Sequence, residues 1–321
     1  MCHRVGCRSL ILLTLALLLI RSSLAIAQEA PGKNKAEKPN FRSPPRQYED
    51  VTIDDRTFVV EAQLLKEEPQ LARRSLIRLK KNIDLTLEIL PPHSHPFIAK
   101  QQFWMMYGPK ATAGGKNSGL AYFRPGSPKF DAKRDERWNS VVVVYDAKNY
   151  VALTDLWALK AVLHELAHAY QLEQWPEKEP HILAAYDNAM SQNLYRNAKN
   201  DKGGVFAAAY ATQNQLEYFA ETSCMFFARC NYQPYNRREF KAYDPVGYEM
   251  IRRQWKIGDE FGKPEQRAWK LGRSTRKLDG TLKSYSAGKV TLVDSSGKER
   301  TISLKALREV DQDIVKRWYG E

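Results

Sequence analysis

The chain has 321 residues, 43% hydrophobic and 27% charged, a globular composition that excludes a disordered or collagen-like chain. Four cysteines exclude a disulfide-dense scaffold or a cysteine-rich zinc array, and no long apolar run beyond the N-terminus suggests a polytopic membrane protein. The formal net charge of +13 invites a nucleic-acid reading. The basic excess, however, gathers in the leader, in residues 28–47 and in residues 264–321, with no basic stripe interleaved with aromatics, so no nucleic-acid partner is expected.

Arg4 and Arg8 precede a run from Leu10 to Ile20 that is apolar except for Thr14, and Ala25-Ile26-Ala27 follows. This is the charged, apolar, small-x-small order of a secretory signal peptide, with cleavage after Ala27. Such a run rises only about 16 Å as a helix, short of a hydrocarbon core of about 30 Å, so no stable membrane span is expected after cleavage. The mature chain is therefore expected to be secreted, periplasmic or held in the cell envelope. Residues 28–47, rich in Pro, Lys and Asn, read as a flexible linker.

Residues 48–258 mix apolar helical patterns with one strong strand, Val141-Val142-Val143-Val144-Tyr145. His93 and His95 lie in a proline-rich turn before it, and His181 follows a Trp175-Pro176 break; these three read as structural or surface residues. Between them stands His164-Glu165-Leu166-Ala167-His168. Leu156, Leu159, Leu163, Leu166 and Tyr170 recur at three- and four-residue steps, which predicts a helix with Thr154 or Asp155 as its N-cap. Positions four apart lie one turn apart, so His164 and His168 can offer two imidazoles to one zinc ion. Glu165 can then lie beside the metal and act as general base on a zinc-activated water.

Catalytic zinc usually takes a third protein ligand. A second helix is expected from Leu216 to Ala228, with Glu217 and Glu221 four apart on one face. One can ligate the ion while the other holds a ligating imidazole by a hydrogen bond. Phe219, Met225, Phe226 and Phe227 crowd this helix, so two carboxylates inside it need a reason. Cys224 and Cys230 can bridge only if the helix ends between them; two buried free thiols are the equal alternative.

The HExxH helix, with Tyr210 and then Glu217-Tyr218-Phe219-Ala220-Glu221, resembles the catalytic domain of the anthrax lethal factor family of zinc metallopeptidases. Asn231 to Glu239, Asp244-Pro245, Gly247-Tyr248 and Trp255 look like the tail of the secreted members. The resemblance covers roughly residues 50–258. It implies an α+β, zincin-like fold and a gluzincin-type site, with zinc held by His164, His168 and Glu217. It further implies Glu165 as catalytic base, Tyr210 as oxyanion stabiliser and Glu221 as the acid behind a ligating histidine. Val141–Tyr145 is then the expected strand nearest the cleft, able to hold an extended peptide or protein substrate.

From residue 264 to 321 the texture changes to four short alternating strands, with turns at Ala287-Gly288 and Ser296-Gly297 and a last helix near Asp311. Trp269, Leu282, Val290, Ile302, Leu307 and Asp311 mark a pattern similar to the SHD-type, SH3-like homology domain of a fungal endocytic adaptor. That resemblance implies a small β-barrel module and a peptide or cell-envelope partner. The leading expectation is an exported zinc metallopeptidase. Its rivals are an envelope-associated binding protein with a non-catalytic zinc site, and an amidase acting on cell-wall peptides.

Overall fold

The computed structural model describes residues 46–124, 135–257, 267–272, 276–308, 311–312 and 314–316. The expected signal peptide, and the linker up to residue 45, lie outside the described residues. The chain is of mixed α+β class. Its elements are β1 (Tyr48–Ile53), β2 (Arg56–Glu61), α1 (Ala62–Glu67), α2 (Pro69–Ile89), α3 (His95–Lys100), β3 (Gln102–Met105), β4 (Leu120–Phe123) and β5 (Val141–Val144). There follow α4 (Ala147–Ala152), α5 (Asp155–Gln174), α6 (Pro180–Ser191), β6 (Arg196–Lys199), β7 (Val205–Ala208), α7 (Gln215–Phe227), α8 (Arg237–Tyr243) and α9 (Pro245–Gln254). The last strands are β8 (Arg267–Lys270), β9 (Lys277–Ser286), β10 (Lys289–Val293) and β11 (Glu299–Ser303).

The main sheet is mixed, in the order β1-β2-β3-β5-β4. β2, β3 and β5 run parallel, while β1 and β4 are antiparallel edges. All four valines of β5 are buried because both faces of the sheet are covered. Val142 and Val144 enter the large core with α2, α5 and α7, whereas Val141 and Val143 pack with Trp104, Trp138 and Tyr145 on the other face. The strand nearest the histidine helix is therefore not Val141–Val144. It is β4, the antiparallel edge, which packs against α5 and leaves β5 paired on both sides.

Helix α5 starts where expected: Thr154 Oγ1 accepts the Trp157 amide at 3.3 Å as N-cap. Its burial departs from a single stripe. Leu156 and Leu159 are only partly covered, while residues 162–171 are buried all round. α2, α7 and β4 all pack against the helix, and polar His164, Glu165 and His168 are buried with the apolar residues around them.

Trp255, just past α9, locks α5 to α7. Its ring stacks on Tyr170 of α5 at 4.2 Å and lies parallel to Phe219 of α7 at 6.1 Å. Its indole nitrogen donates to Ser223 Oγ at 3.0 Å. Asp244 caps α9 and accepts from the hydroxyls of Tyr195 at 2.8 Å and Tyr218 at 2.6 Å. Gly247 makes this approach possible, since a Cβ there would overlap the Tyr218 hydroxyl and the Asp244 carboxylate.

Strands β8–β11 form a four-stranded antiparallel sheet in the order β11-β10-β9-β8, with its own core of Trp269, Leu282, Val290, Leu292, Leu304, Leu307 and Val315. Ala287 and Gly288 take positive φ in the β9–β10 turn, and Gly297 does so between β10 and β11, as expected for tight hairpins. The expected closed barrel is not seen: no ladder joins β11 to β8 among the described residues. Instead the chain after β11 returns to β8 by a bridge between Leu271 and Leu307 and an Arg308 amide bond to the Lys270 carbonyl at 2.8 Å. Residues 311–312 and 314–316 are helical, and buried Asp311 accepts from the Lys270 amide at 2.9 Å and from Arg308 at 2.7 Å. Among the described residues no helix is long and apolar enough to cross a membrane.

Candidate metal centre

α5 and α7 pack side by side and bring together residues 53 positions apart. His164 Nε2 lies 3.0 Å from Glu217 Oε2, and His168 Nε2 lies 3.1 Å from His164 Nε2 and 3.3 Å from the same carboxylate oxygen. Among the described residues this is the group of His, Cys, Asp and Glu side chains whose ligand atoms converge as a metal site requires. Tetrahedral zinc at about 2.0–2.1 Å from its donors sets those donors about 3.3–3.4 Å apart. The observed triangle has nearly those edges, and two histidines with one carboxylate are a donor set that suits zinc.

The start of α7 explains why Glu217 reaches this point. Asn214 caps the helix, its Oδ1 accepting from the amides of Leu216 at 2.9 Å and Glu217 at 3.0 Å. Glu217 thus sits in the first turn, where the helix dipole favours a carboxylate. Burial works to raise its pKa, but the His164 and His168 imidazoles outweigh burial and hold it at about 2. Burial likewise works to lower His164, and its hydrogen-bonding neighbours Cys224, Glu217 and Glu221 raise it well above the ordinary value. A metal ion would displace that proton.

Glu221, one turn further along α7, takes the other side of the first histidine. Its Oε1 is 2.9 Å from His164 Nδ1, which fixes the ring with Nε2 toward Glu217 and His168. His168 Nδ1 is buried with no hydrogen-bond partner among the described residues, so the bracing falls on His164. Glu165, next to His164, accepts the Tyr122 amide of β4 on Oε2 at 2.8 Å. The edge strand thereby orients the expected base.

Tyr210 lies in a 3-10 turn immediately before α7, with its ring centroid 5.7 Å from that of His164. The turn is anchored by the Ala211 amide on the Tyr232 hydroxyl at 3.1 Å and by the Tyr186 hydroxyl on the Thr212 carbonyl at 3.0 Å. Burial and the Glu217 carboxylate push the Tyr210 phenol up to about 12, so it remains a donor at neutral pH. Its side faces solvent, at 44% exposure.

All six expected site residues are therefore brought to one place. His93, His95 and His181 are not: His95 bonds the Leu90 carbonyl at 3.0 Å and His181 pairs with Glu179 at 2.8 Å. Cys224 and Cys230 are both free and buried, although α7 does end between them at Phe227. Burial pushes both thiols up, which keeps them protonated.

Two features carried no reading in the sequence. One is the Tyr122 amide, a backbone group with no residue signature. The other is Lys160, whose place four residues before His164 put it on the same helical face but otherwise resembled any solvated lysine. Comparison with protein-family models, with curated proteins and with solved structures gives no match. The function of the chain has to be read from its own site.

Proposed function

We propose that the chain is an exported zinc metallopeptidase, with a zincin-like α+β catalytic region of gluzincin type and an SH3-like module at its C-terminus. The observation that carries this reading is the convergence of His164, His168 and Glu217 within 3.3 Å of one another, with Glu165 held next to them by the edge strand. Zinc bound there would supply a Lewis acid that polarises a peptide carbonyl and lowers the pKa of water.

The chain's own residues divide the remaining work. Glu165 removes a proton from the attacking water and returns it to the leaving amine. Tyr210, protonated at neutral pH, donates to the oxygen that gains negative charge in the transition state. Glu221 keeps the His164 ring in register. A purely structural zinc site would have no use for Glu165 or for an exposed tyrosine beside the ligands. Export is supported by the charged, apolar, small-residue order of residues 1–27. The SH3-like reading draws on the return of the chain to β8 after the 3-10 turn at Leu304–Ala306.

Glu165→Gln keeps the size of the side chain and removes its basicity. Turnover of a peptide library should fall by at least about 100-fold, while zinc per chain stays at the wild-type level. Zinc loss in this variant, or unchanged turnover, contradicts the role of Glu165.

A further inference from the structure

Lys160 is 5% exposed and sits behind the metal centre, at the interface of α5 and α7. A buried ammonium is costly unless its charge and its donors are matched. Here they are. Nζ lies 2.8 Å from both Glu221 oxygens and 2.6 Å from Asn231 Oδ1. The Trp157 and Tyr232 ring centroids lie 5.1 and 5.4 Å from the same nitrogen, and the buried thiols of Cys230 and Cys224 lie near it as well.

The contacts form a line. Asn231 holds Lys160, Lys160 holds Glu221, and Glu221 holds His164 Nδ1 at 2.9 Å. The line ends on the ring nitrogen opposite the one that faces His168 and Glu217. Glu221 is 1% exposed. The Cys230 thiol, 3.5 Å from Oε2, and the Tyr232 hydroxyl also reach the carboxylate, but neither carries a positive charge, so without Lys160 a buried anion would lose its counter-charge and be held less firmly against the imidazole. The cation covers both oxygens, which fixes the carboxylate plane as well as its charge.

We propose that Lys160 is a positioning residue for the metal centre: anchored by Asn231, its ammonium pins Glu221 so that His164 presents Nε2 to the ion. The proposal rests on the zinc reading above. It assigns to Lys160 no contact with substrate and no part in proton transfer. Lys160 acts only through Glu221, which makes a double-mutant cycle the decisive experiment.

Four chains are compared: wild type, Lys160→Met, Glu221→Gln and the double variant. Zinc affinity is measured by competition with a chromophoric chelator, and the melting temperature of each zinc-free chain is recorded beside it. Lys160→Met should weaken zinc binding by about 10- to 100-fold in the wild-type background. In the Glu221→Gln background, where an acceptor oxygen remains but the buried charge is gone, the same change should cost less than about threefold. Should Lys160→Met alone not fold, the double variant against Glu221→Gln carries the test. Zinc affinities within about threefold in that pair, with a melting temperature no lower in the double variant, support the proposal, and a further loss of zinc affinity beyond about threefold overturns it. A folded Lys160→Met chain within about twofold of wild type, or equal losses in both backgrounds, also overturns it. A wild-type chain that takes no zinc overturns the zinc reading and this proposal together, and does so before any variant is made.

Discussion

Glu217 is held between two opposed influences. Burial raises its pKa from 4.5, and two imidazoles pull it down to about 2. A carboxyl depressed by folding contributes stability above its unfolded pKa and loses it as the pH falls toward the folded value. In the zinc-free chain this contribution should be complete above about pH 4.5 and gone near pH 2. Glu217→Gln should lack that part of the acid-denaturation slope, measured by circular dichroism after chelation. Superimposable acid profiles for the two chains would contradict the pairing. Sequence spacing was enough to select His164, His168 and Glu165, because ligands one turn apart are a local pattern. Glu217 and Glu221 were legible as a pair from the same rule, aided by the apolar residues around them. Their division of labour follows from which imidazole nitrogen each one meets, and that depends on the packing of α5 on α7. Lys160 was not legible, since its burial is caused by α7 and the Asn231 loop, both distant in the chain.

At the scale of elements, the two motif helices need a fixed separation for His164, His168 and Glu217 to meet. Trp255 supplies much of it, with parallel rings from α5 and α7 on its faces and Phe227 edge-on at 5.2 Å. Trp255→Ala should lower stability by about 3–5 kcal/mol, the usual cost of emptying so large a buried site. Urea denaturation of the zinc-free chain measures this, and a loss under about 1 kcal/mol would show that the helices are held elsewhere. Both helices were legible from three- and four-residue apolar steps, and their observed limits, Asp155–Gln174 and Gln215–Phe227, lie close to those expected. The strand nearest the site was not. Four consecutive valines mark a strand covered on both faces, which is a central strand rather than an edge. The real edge, Leu120–Phe123, is short and partly exposed and has no run of β-branched residues to announce it.

At the scale of the whole molecule, the described residues carry separate apolar cores for the helix-rich part and for the β8–β11 sheet. The four C-terminal strands and their glycine turns follow directly from alternation and turn chemistry, while the open form of the sheet depends on how residues after β11 return to β8. The placement of Trp269 inside that core, at 1% exposure with its indole nitrogen on the Gly280 carbonyl at 2.8 Å, makes it an anchor of the module. The candidate metal centre, His164, His168 and Glu217, belongs entirely to the helix-rich part. Zinc content per chain of the purified protein, wild type beside Glu217→Ala, with peptide-library cleavage run on the same samples, bears on it most directly. The geometry predicts about one zinc ion per wild-type chain, and loss or marked weakening of both zinc and cleavage in the variant. A zinc-free wild type, or zinc unaffected by Glu217→Ala, would contradict the three-ligand centre and shift the function toward binding.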